Sequence, residues 1–206
     1  IRPLNDDDFL RAHWIMYFKY SRKTGQDYIR FLLDEQFAPK KVHKKIEQDV
    51  LLETPEEVRS EQGDEDIENE NGDSAEDTLP KSYSQLRPTE IRDFANSLKD
   101  SGVHWFNSFF PDLATGMSVE ERQWIDRLNR IGIGYFRPLV MAVLKNVKSE
   151  KDRISLFRKI ERFIFINFRM NFVMSNYGSS EFYNAARALD RGEIKTERII
   201  AQLEER

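Results

Sequence analysis

The sequence predicts an all-α protein, an irregular multi-helix bundle of about eight or nine helices with an acidic, flexible insert. Apolar residues recur every three to four positions over most of the 206 residues, which is the spacing of one helical face. No segment alternates apolar and polar residues as a half-buried strand does. With 39% hydrophobic and 12% aromatic residues, the chain can also bury a substantial core.

The first 52 residues are predicted to form an N-terminal helical segment. Asn5 is suited to cap a first helix, and Asp6 to Asp8 favour the positive end of its dipole. Gly25 interrupts the pattern, and a second helix follows and ends before Pro39. Pro39 is suited to open a third helix, because its fixed φ angle matches the first helical turn.

Residues 53–85 form a predicted acidic linker. Twelve acidic residues and a single arginine lie between positions 53 and 77, so this stretch carries a charge of −11 within a chain of net charge −4. The remainder therefore carries +7. Because the stretch has few apolar residues, burial cannot offset the entropy lost on ordering, which favours a solvated linker. The alternative is an acidic arm that competes with DNA for basic surfaces.

Residues 86–206 are predicted to form the main bundle, against which residues 1–52 pack. Four helix starts are indicated by residues that favour N-caps: Thr89, Ser118 in a capping box with Glu121, Ser149, and either Ser179 or Ser180. Arg191 and Gly192 are expected to end the helix that begins near Ser179, and an amphipathic helix follows them.

The most apolar stretch is FIFINFRMNFVMSNY at residues 163–177, which has one charge and no acid. It is too short and too polar to cross a bilayer, since a membrane span takes about 18 or more apolar residues. The helix before it is amphipathic. A helix that becomes apolar on all sides is typical of one that enters a bundle centre, so we expect residues 163–172 to lie at the centre of the core.

The sequence shows no catalytic or metal-binding motif. The absence of cysteine excludes a disulfide, a thiolate metal site and a cysteine nucleophile. His13, His43 and His104 have no second ligand one helical turn away, so structural roles are expected rather than zinc binding. Neither G-x-x-x-x-G-K nor G-x-G-x-x-G occurs, which leaves no phosphate-binding loop. We therefore predict no catalytic and no metal residues, and leave cofactor-binding residues open.

Basic side chains gather in two stretches and are candidates for contacts with DNA phosphates. The alternative for both is an ordinary solvated surface. The candidates are Lys40, Lys41, Lys44, Lys45, Arg153, Arg158, Lys159 and Arg162.

Arg169 stands inside the apolar run, where an unpaired charge would be costly, so it needs an acidic or carbonyl partner. The nearby segment SNYGSSEFYN is rich in hydrogen-bonding side chains. We expect a buried contact between Arg169 and a carboxylate, serving either the structure or a ligand pocket. The predicted buried polar cluster comprises Arg169, Asn176, Tyr177, Glu181 and Tyr183.

Four segments carry a family resemblance: NDDDFLRAHWIMYFKYSRKTGQDYIRFLL, WIDRLNRIGIGYFRPLVMAVL, IERFIFINFR and SNYGSSEFYNAAR. They resemble the central region of a bacterial family of domains of unknown function, found at the N-terminus of GmrSD-type modification-dependent restriction endonucleases. The resemblance covers nearly the whole chain outside the acidic insert. Members of that family carry a ParB-like nucleotide-binding core with a D-G-Q-Q-R motif and often an HNH nuclease domain. Neither motif occurs here, so no catalytic residue of the family is transferred to this chain.

The resemblance implies a non-catalytic helical module of a cytoplasmic restriction or phage-defence protein. Such a module would support a nucleotide-binding core and contact DNA. Its partner would be the remainder of its own polypeptide, which would bring a nucleotide and a divalent metal. The sequence lacks an initiator Met and a signal-peptide pattern, so we expect a part of a longer protein. The alternative is a protein-interaction domain that uses its acidic arm or an aromatic helical surface.

Overall fold

The structure, a computed structural model, describes residues 5–21, 24–25, 27–38, 41, 86–174 and 176–205. These ranges contain α-helices and no strand, so the predicted all-α fold is confirmed. The α-helices are α1 (Asp6–Tyr17), α2 (Tyr28–Arg30), α3 (Pro88–Phe109), α4 (Val119–Ile131), α5 (Arg137–Asn146), α6 (Glu150–Ile164), α7 (Ser179–Asp190) and α8 (Thr196–Glu204). Two π-helical segments, Phe31–Gln36 and Phe165–Met170, and two 3-10 turns, Pro111–Leu113 and Gly134–Phe136, complete the architecture. The helix predicted after Pro39 and the acidic insert lie outside the described residues.

The centre of the bundle is α5 rather than the apolar run at 163–172. All six residues from Pro138 to Val143 are buried, and the five from Leu139 onward have no solvent-exposed surface. Helices α1, α3, α6 and α7 all contact α5. A helix that is apolar on every side must be covered on every side, and these four helices provide that cover.

The apolar run divides into two halves at the end of α6. Phe163 and Ile164 are buried, and the Phe163 ring lies 5.6 Å and 5.2 Å from the rings of Phe136 and Phe182. Beyond α6 the chain widens into the π-helical segment, which breaks the helical spacing and turns apolar side chains outward. The prediction that the whole run is central is therefore wrong for much of its second half, in which Asn167 is still buried and Phe168 still packs against the core. The large apolar residues of the run that are more than half exposed are Phe165, Met170, Phe172 and Met174.

Local sequence signals predicted some helix ends and missed others. Asn5, Ser149 and the Ser118–Glu121 capping box begin α1, α6 and α4 as expected. The proposed cap at Thr89 is wrong, because α3 begins at Pro88 and Glu90 accepts a hydrogen bond from the Arg87 amide. The proposed serine cap of α7 is also wrong. Its N-cap is Gly178, whose φ of +70° is a left-handed conformation that glycine adopts without strain.

A second aromatic cluster joins α1 to the elements that follow it. Trp14 is fully buried, and the rings of Phe18, Tyr20, Tyr28 and Phe31 lie within 6.4 Å of it.

Among the described helices, none is both long enough and apolar enough to cross a membrane. The chain leaves the described region at Lys41 and returns at Leu86, whose amide donates a hydrogen bond of 3.3 Å to the Lys41 carbonyl.

The two halves of the apolar run should respond differently to truncation. Phe163→Ala is expected to lower the free energy of unfolding by about 3–5 kcal/mol, because it empties a packed aromatic site. Phe172→Ala should change it by less than about 1 kcal/mol, since this side chain is 83% exposed. Urea denaturation of both variants measures the difference, and equal losses would contradict the division described above.

Candidate functional site

A cavity of about 990 Å³ lies between α1, α3, α5 and α7. It also reaches Tyr20 and Gly25 after α1, and Gly134 and Tyr135 before α5. A volume of this size is at the upper end of the range of about 300–1,000 Å³ that is usual for small-molecule sites. The polar and charged side chains in its wall are Asp8, Arg11, Tyr20, Tyr135, Arg137, Asn176, Ser179, Ser180, Glu181 and Tyr183.

Arg137, the first residue of α5, is held in the cavity wall by α3 and α4. Its Nη1 donates to the carbonyl oxygen and Oγ of Ser108 at 3.1 Å and 3.0 Å, and its Nη2 donates to Asn129 Oδ1 at 3.2 Å. The guanidinium lies over the ring of Phe109, with Cζ 3.6 Å from the ring centroid. These contacts fix its position but supply no negative charge.

The charge of Arg137 is uncompensated by any acid in the described part of the protein. The ion pairs found there join other residues. Burial lowers the pKa of Arg137 to about 10, so it remains protonated at neutral pH. It also stands at the N-terminal end of α5, where the helix dipole disfavours a cation. An anion in the cavity would relieve both costs.

The first turn of α7 forms another part of the wall through Gly178, Ser179 and Ser180. No side chain caps this helix, and Gly178 reaches its position only through a left-handed turn. The first amides of a helix lack carbonyl partners within the helix and carry partial positive charge. Glu181 lies in the same first turn, and its carboxylate offsets this partial positive charge, so the helix end adds little to the charge of Arg137.

Three tyrosines line the cavity beside α1 and α7. The ring of Tyr183 lies 4.8 Å from that of Tyr20 and 6.1 Å from that of Tyr135, both edge to face. Burial raises the pKa of Tyr183, an effect that the nearby Arg11 partly offsets. The Tyr135 hydroxyl donates to the carbonyl of Tyr177. The tyrosines supply flat aromatic surface together with hydroxyl groups.

The predicted polar cluster is only partly where it was expected. Arg169 is exposed and donates to the carbonyl of Ile131 at 2.6 Å, so a buried Arg169–carboxylate contact is wrong. It emerges at the surface because α6 ends at Ile164. Of the remaining predicted members, Tyr183 is buried, whereas Asn176, Tyr177 and Glu181 are exposed. Even so, three of these four line the cavity: Asn176, Glu181 and Tyr183.

The arginine of the cavity is therefore Arg137, which the sequence reasoning missed. The signal that could have found it is its position directly before the apolar stretch PLVMAVL. A charge at the end of a buried helix needs a partner because an unpaired charge among apolar residues is costly, as was argued for Arg169.

The predicted phosphate-contact residues do not form one face. Arg153 is largely buried, pairs with Glu121 and donates to the Val147 carbonyl at 2.7 Å, so its role is internal. Lys159 pairs with Glu204. Arg158 and Arg162 are exposed, and Arg158 lies with Arg127 over the Trp124 ring, with Cζ atoms 5.4 Å and 4.8 Å from its centroid.

Of the four predicted lysines that lie between positions 40 and 45, Lys41 is partly exposed. The other three, Lys40, Lys44 and Lys45, lie outside the described residues, as does His43.

His13 and His104 lie away from the cavity wall. His13 is buried and shares a hydrogen bond of 3.0 Å with Ser101 Oγ. Burial, helped by Lys145, lowers the pKa of His13 to about 4, and the same causes lower the pKa of His104. In the described ranges, no group of three or more histidine and acidic side chains is arranged to hold a metal ion.

Comparison with known proteins found no match: no family model, no curated protein and no solved structure matches the chain.

His13 predicts how stability changes with acidity. Its pKa is about 4 in the folded state and about 6.5 when unfolded, so folding favours the neutral ring. This stabilisation is complete above pH 6.5 and declines as the pH falls towards 4, by roughly 3 kcal/mol in total. Thermal unfolding between pH 7 and pH 4 measures the decline.

His13→Gln is the control for this decline, because glutamine does not titrate and can still bond to Ser101. It should flatten the pH dependence of the melting temperature without abolishing it, since His104 contributes in the same direction. An unchanged slope would show that His13 is not responsible.

Proposed function

We propose that this chain is a non-catalytic helical module that binds a small anionic ligand in the cavity between α1, α3, α5 and α7. The observation that carries the proposal is Arg137, a largely buried guanidinium in the cavity wall with no acidic partner in the described region. Structural arginines are usually paired when buried, because an unpaired charge is costly there. An arginine that is retained without a partner is suited to receive one from a ligand.

The donors of Arg137 support this role. A guanidinium has five N–H donors, and three hydrogen bonds to Ser108 and Asn129 occupy only part of that set. The remaining donors can reach a carboxylate or phosphate oxygen. Because the guanidinium is already held by Ser108, Asn129 and the Phe109 ring, little side-chain entropy is lost on binding. Hydrogen bonds to charged groups contribute about 1.5–3 kcal/mol each.

The sequence resemblance suggests a setting for this module. In a bacterial GmrSD-like restriction or phage-defence protein of the cytoplasm, it would support the nucleotide-binding core of the same polypeptide. The cavity wall is built from residues of α1, α3, α5 and α7. A ligand held between them would stabilise one relative arrangement of these helices, and that arrangement can be relayed to the remainder of the polypeptide.

A second candidate function is contact with DNA through α4 and α6. The observation that favours it is the exposed group formed by Trp124, Arg127 and Arg158, with Arg162 one turn further along α6. Stacked arginines stay extended and available to phosphate oxygens. The proposed surface therefore retains Arg158 and Arg162 from the sequence prediction, adds Arg127, and omits Arg153.

The alternative function, a protein-interaction domain, is favoured by a different observation. Phe165, Met170, Phe172 and Met174 expose more than half of their side chains within ten residues. Contiguous exposed apolar surface marks interaction sites more often than chance does. We rank this function below ligand binding. The cavity wall is formed by residues from several helices, whereas the exposed apolar residues belong to a single segment.

Removing the charge of Arg137 tests the leading proposal. Inorganic phosphate should raise the melting temperature of the unmodified chain beyond the effect of sodium chloride at equal ionic strength, by stabilising the ligand-bound state. Arg137→Gln should weaken the apparent phosphate affinity about 10- to 100-fold, which corresponds to the loss of one charge-assisted contact of about 1.5–3 kcal/mol.

Arg127→Gln is the matched control, since it removes an arginine that lies outside the cavity wall. It should leave the phosphate effect unchanged. Arg11→Gln, an exposed substitution in the wall, provides a second test if Arg137→Gln unfolds. Equal phosphate effects in all four proteins would refute the proposed site.

The DNA-contact candidate makes a separate prediction. The double variant Arg158→Gln, Arg162→Gln should bind duplex DNA more weakly for every sequence and should flatten the dependence of log K on log salt by about 1.8, which is about 0.9 per lost phosphate contact. Fluorescence anisotropy at several salt concentrations measures this slope. Arg30→Gln, on α2, is the control. Sequence-selective binding that ignores salt would contradict the candidate surface.

A further inference from the structure

The aromatic side chains of the cavity indicate which chemical groups the anionic ligand has besides its anionic group. This inference rests on the proposed function. Trp105 and Phe109 line the cavity beside Arg137, while Tyr20, Tyr135 and Tyr183 line it beside α1 and α7. These five rings come from separate parts of the chain and converge on one space. Stacked or edge-to-face contacts between aromatic rings favour a flat ring over an aliphatic group of similar area.

The charges in the wall limit the charge of the ligand. The wall carries two arginines, Arg11 and Arg137, and two acids, Asp8 and Glu181, and in the described region neither acid forms an ion pair with Arg137. A polyanion such as a nucleoside triphosphate would meet both carboxylates without enough cations to neutralise it. A ligand with one anionic group can place that group against Arg137. Hydrogen-bond donors elsewhere on the ligand, such as hydroxyl or amino groups, would then suit the exposed carboxylate of Asp8.

We infer that the cavity binds a planar aromatic ring that bears a single anionic group and hydrogen-bond donors. The anionic group binds Arg137, and the ring lies against the surface formed by Tyr20, Tyr135 and Tyr183, whose rings contact one another. Two kinds of metabolite share this chemistry: a nucleoside monophosphate, whose donors are hydroxyls and a base amino group, and an aromatic amino acid, whose donor is its ammonium group. The volume of about 990 Å³ accommodates either.

The experiment compares probes that differ by one chemical feature, with isothermal titration calorimetry on the full chain. The first arm uses AMP, ribose 5-phosphate, which lacks the ring system, and adenosine, which lacks the anion. The second arm uses L-tryptophan, glycine, which lacks the ring, and tryptamine, which lacks the carboxylate. In one of the arms, the complete probe is expected to bind at least ten times more tightly than both of its partial analogues, and that arm identifies the source of the ligand.

Variants separate the inference from the function on which it rests. Tyr20→Leu removes a ring from the wall but keeps apolar bulk, and it should weaken the complete probe at least fivefold while leaving the phosphate effect on melting temperature unchanged. Tyr28→Leu is the matched control, a tyrosine of the same Trp14 cluster outside the wall. Ribose 5-phosphate or glycine binding as tightly as the complete probe would overturn the inference and leave the proposed function standing. A chain that binds no anion, inorganic phosphate included, would overturn both.

Discussion

Helix α5 has only apolar side chains from Pro138 to Leu144, and the bundle is arranged to cover them. A helix with no polar face cannot lie at a surface, so α1, α3, α6 and α7 enclose it. The same enclosure draws in the residue that precedes the apolar stretch. Arg137 is carried into the interior by the burial of Pro138 and Leu139, and Ser108 and Asn129 are the groups that receive it. The uncompensated charge in the cavity is thus a consequence of how the core is built.

Much of the fold could be predicted because it depends on local sequence. Helical spacing identified the helical character of the chain, and short polar signals such as Asn5, Ser149 and the Ser118–Glu121 pair located the starts of three helices. These signals act within one turn of the helix, so the sequence contains all the information they need. The cap at Gly178 was missed because it depends on a left-handed backbone conformation and not on a side-chain acceptor.

The site was harder to predict because it depends on contacts between distant parts of the chain. The segment SNYGSSEFYN was recognised as a source of polar side chains for a pocket, and six of its residues do line the cavity. The arginine was assigned wrongly, since apolar neighbours in sequence were taken as burial in space. Arg169 has the more apolar neighbours, yet α6 has ended before it, whereas Arg137 looks like an ordinary first residue of a helix. Hydrophobicity along a chain predicts burial only where the backbone keeps its period.

The hydrogen bond between Leu86 and Lys41 places the departure and return of the chain side by side. The entropy of closing a loop grows with the logarithm of its length, at about 0.6 kcal/mol for each doubling. Lengthening the connection between these two points would therefore cost the helical bundle little free energy. The position is suited to accept an inserted domain whose own termini lie close together. A fluorescent reporter spliced in at this point would be joined to the body just before α3 and a few residues after the π-helical segment Phe31–Gln36.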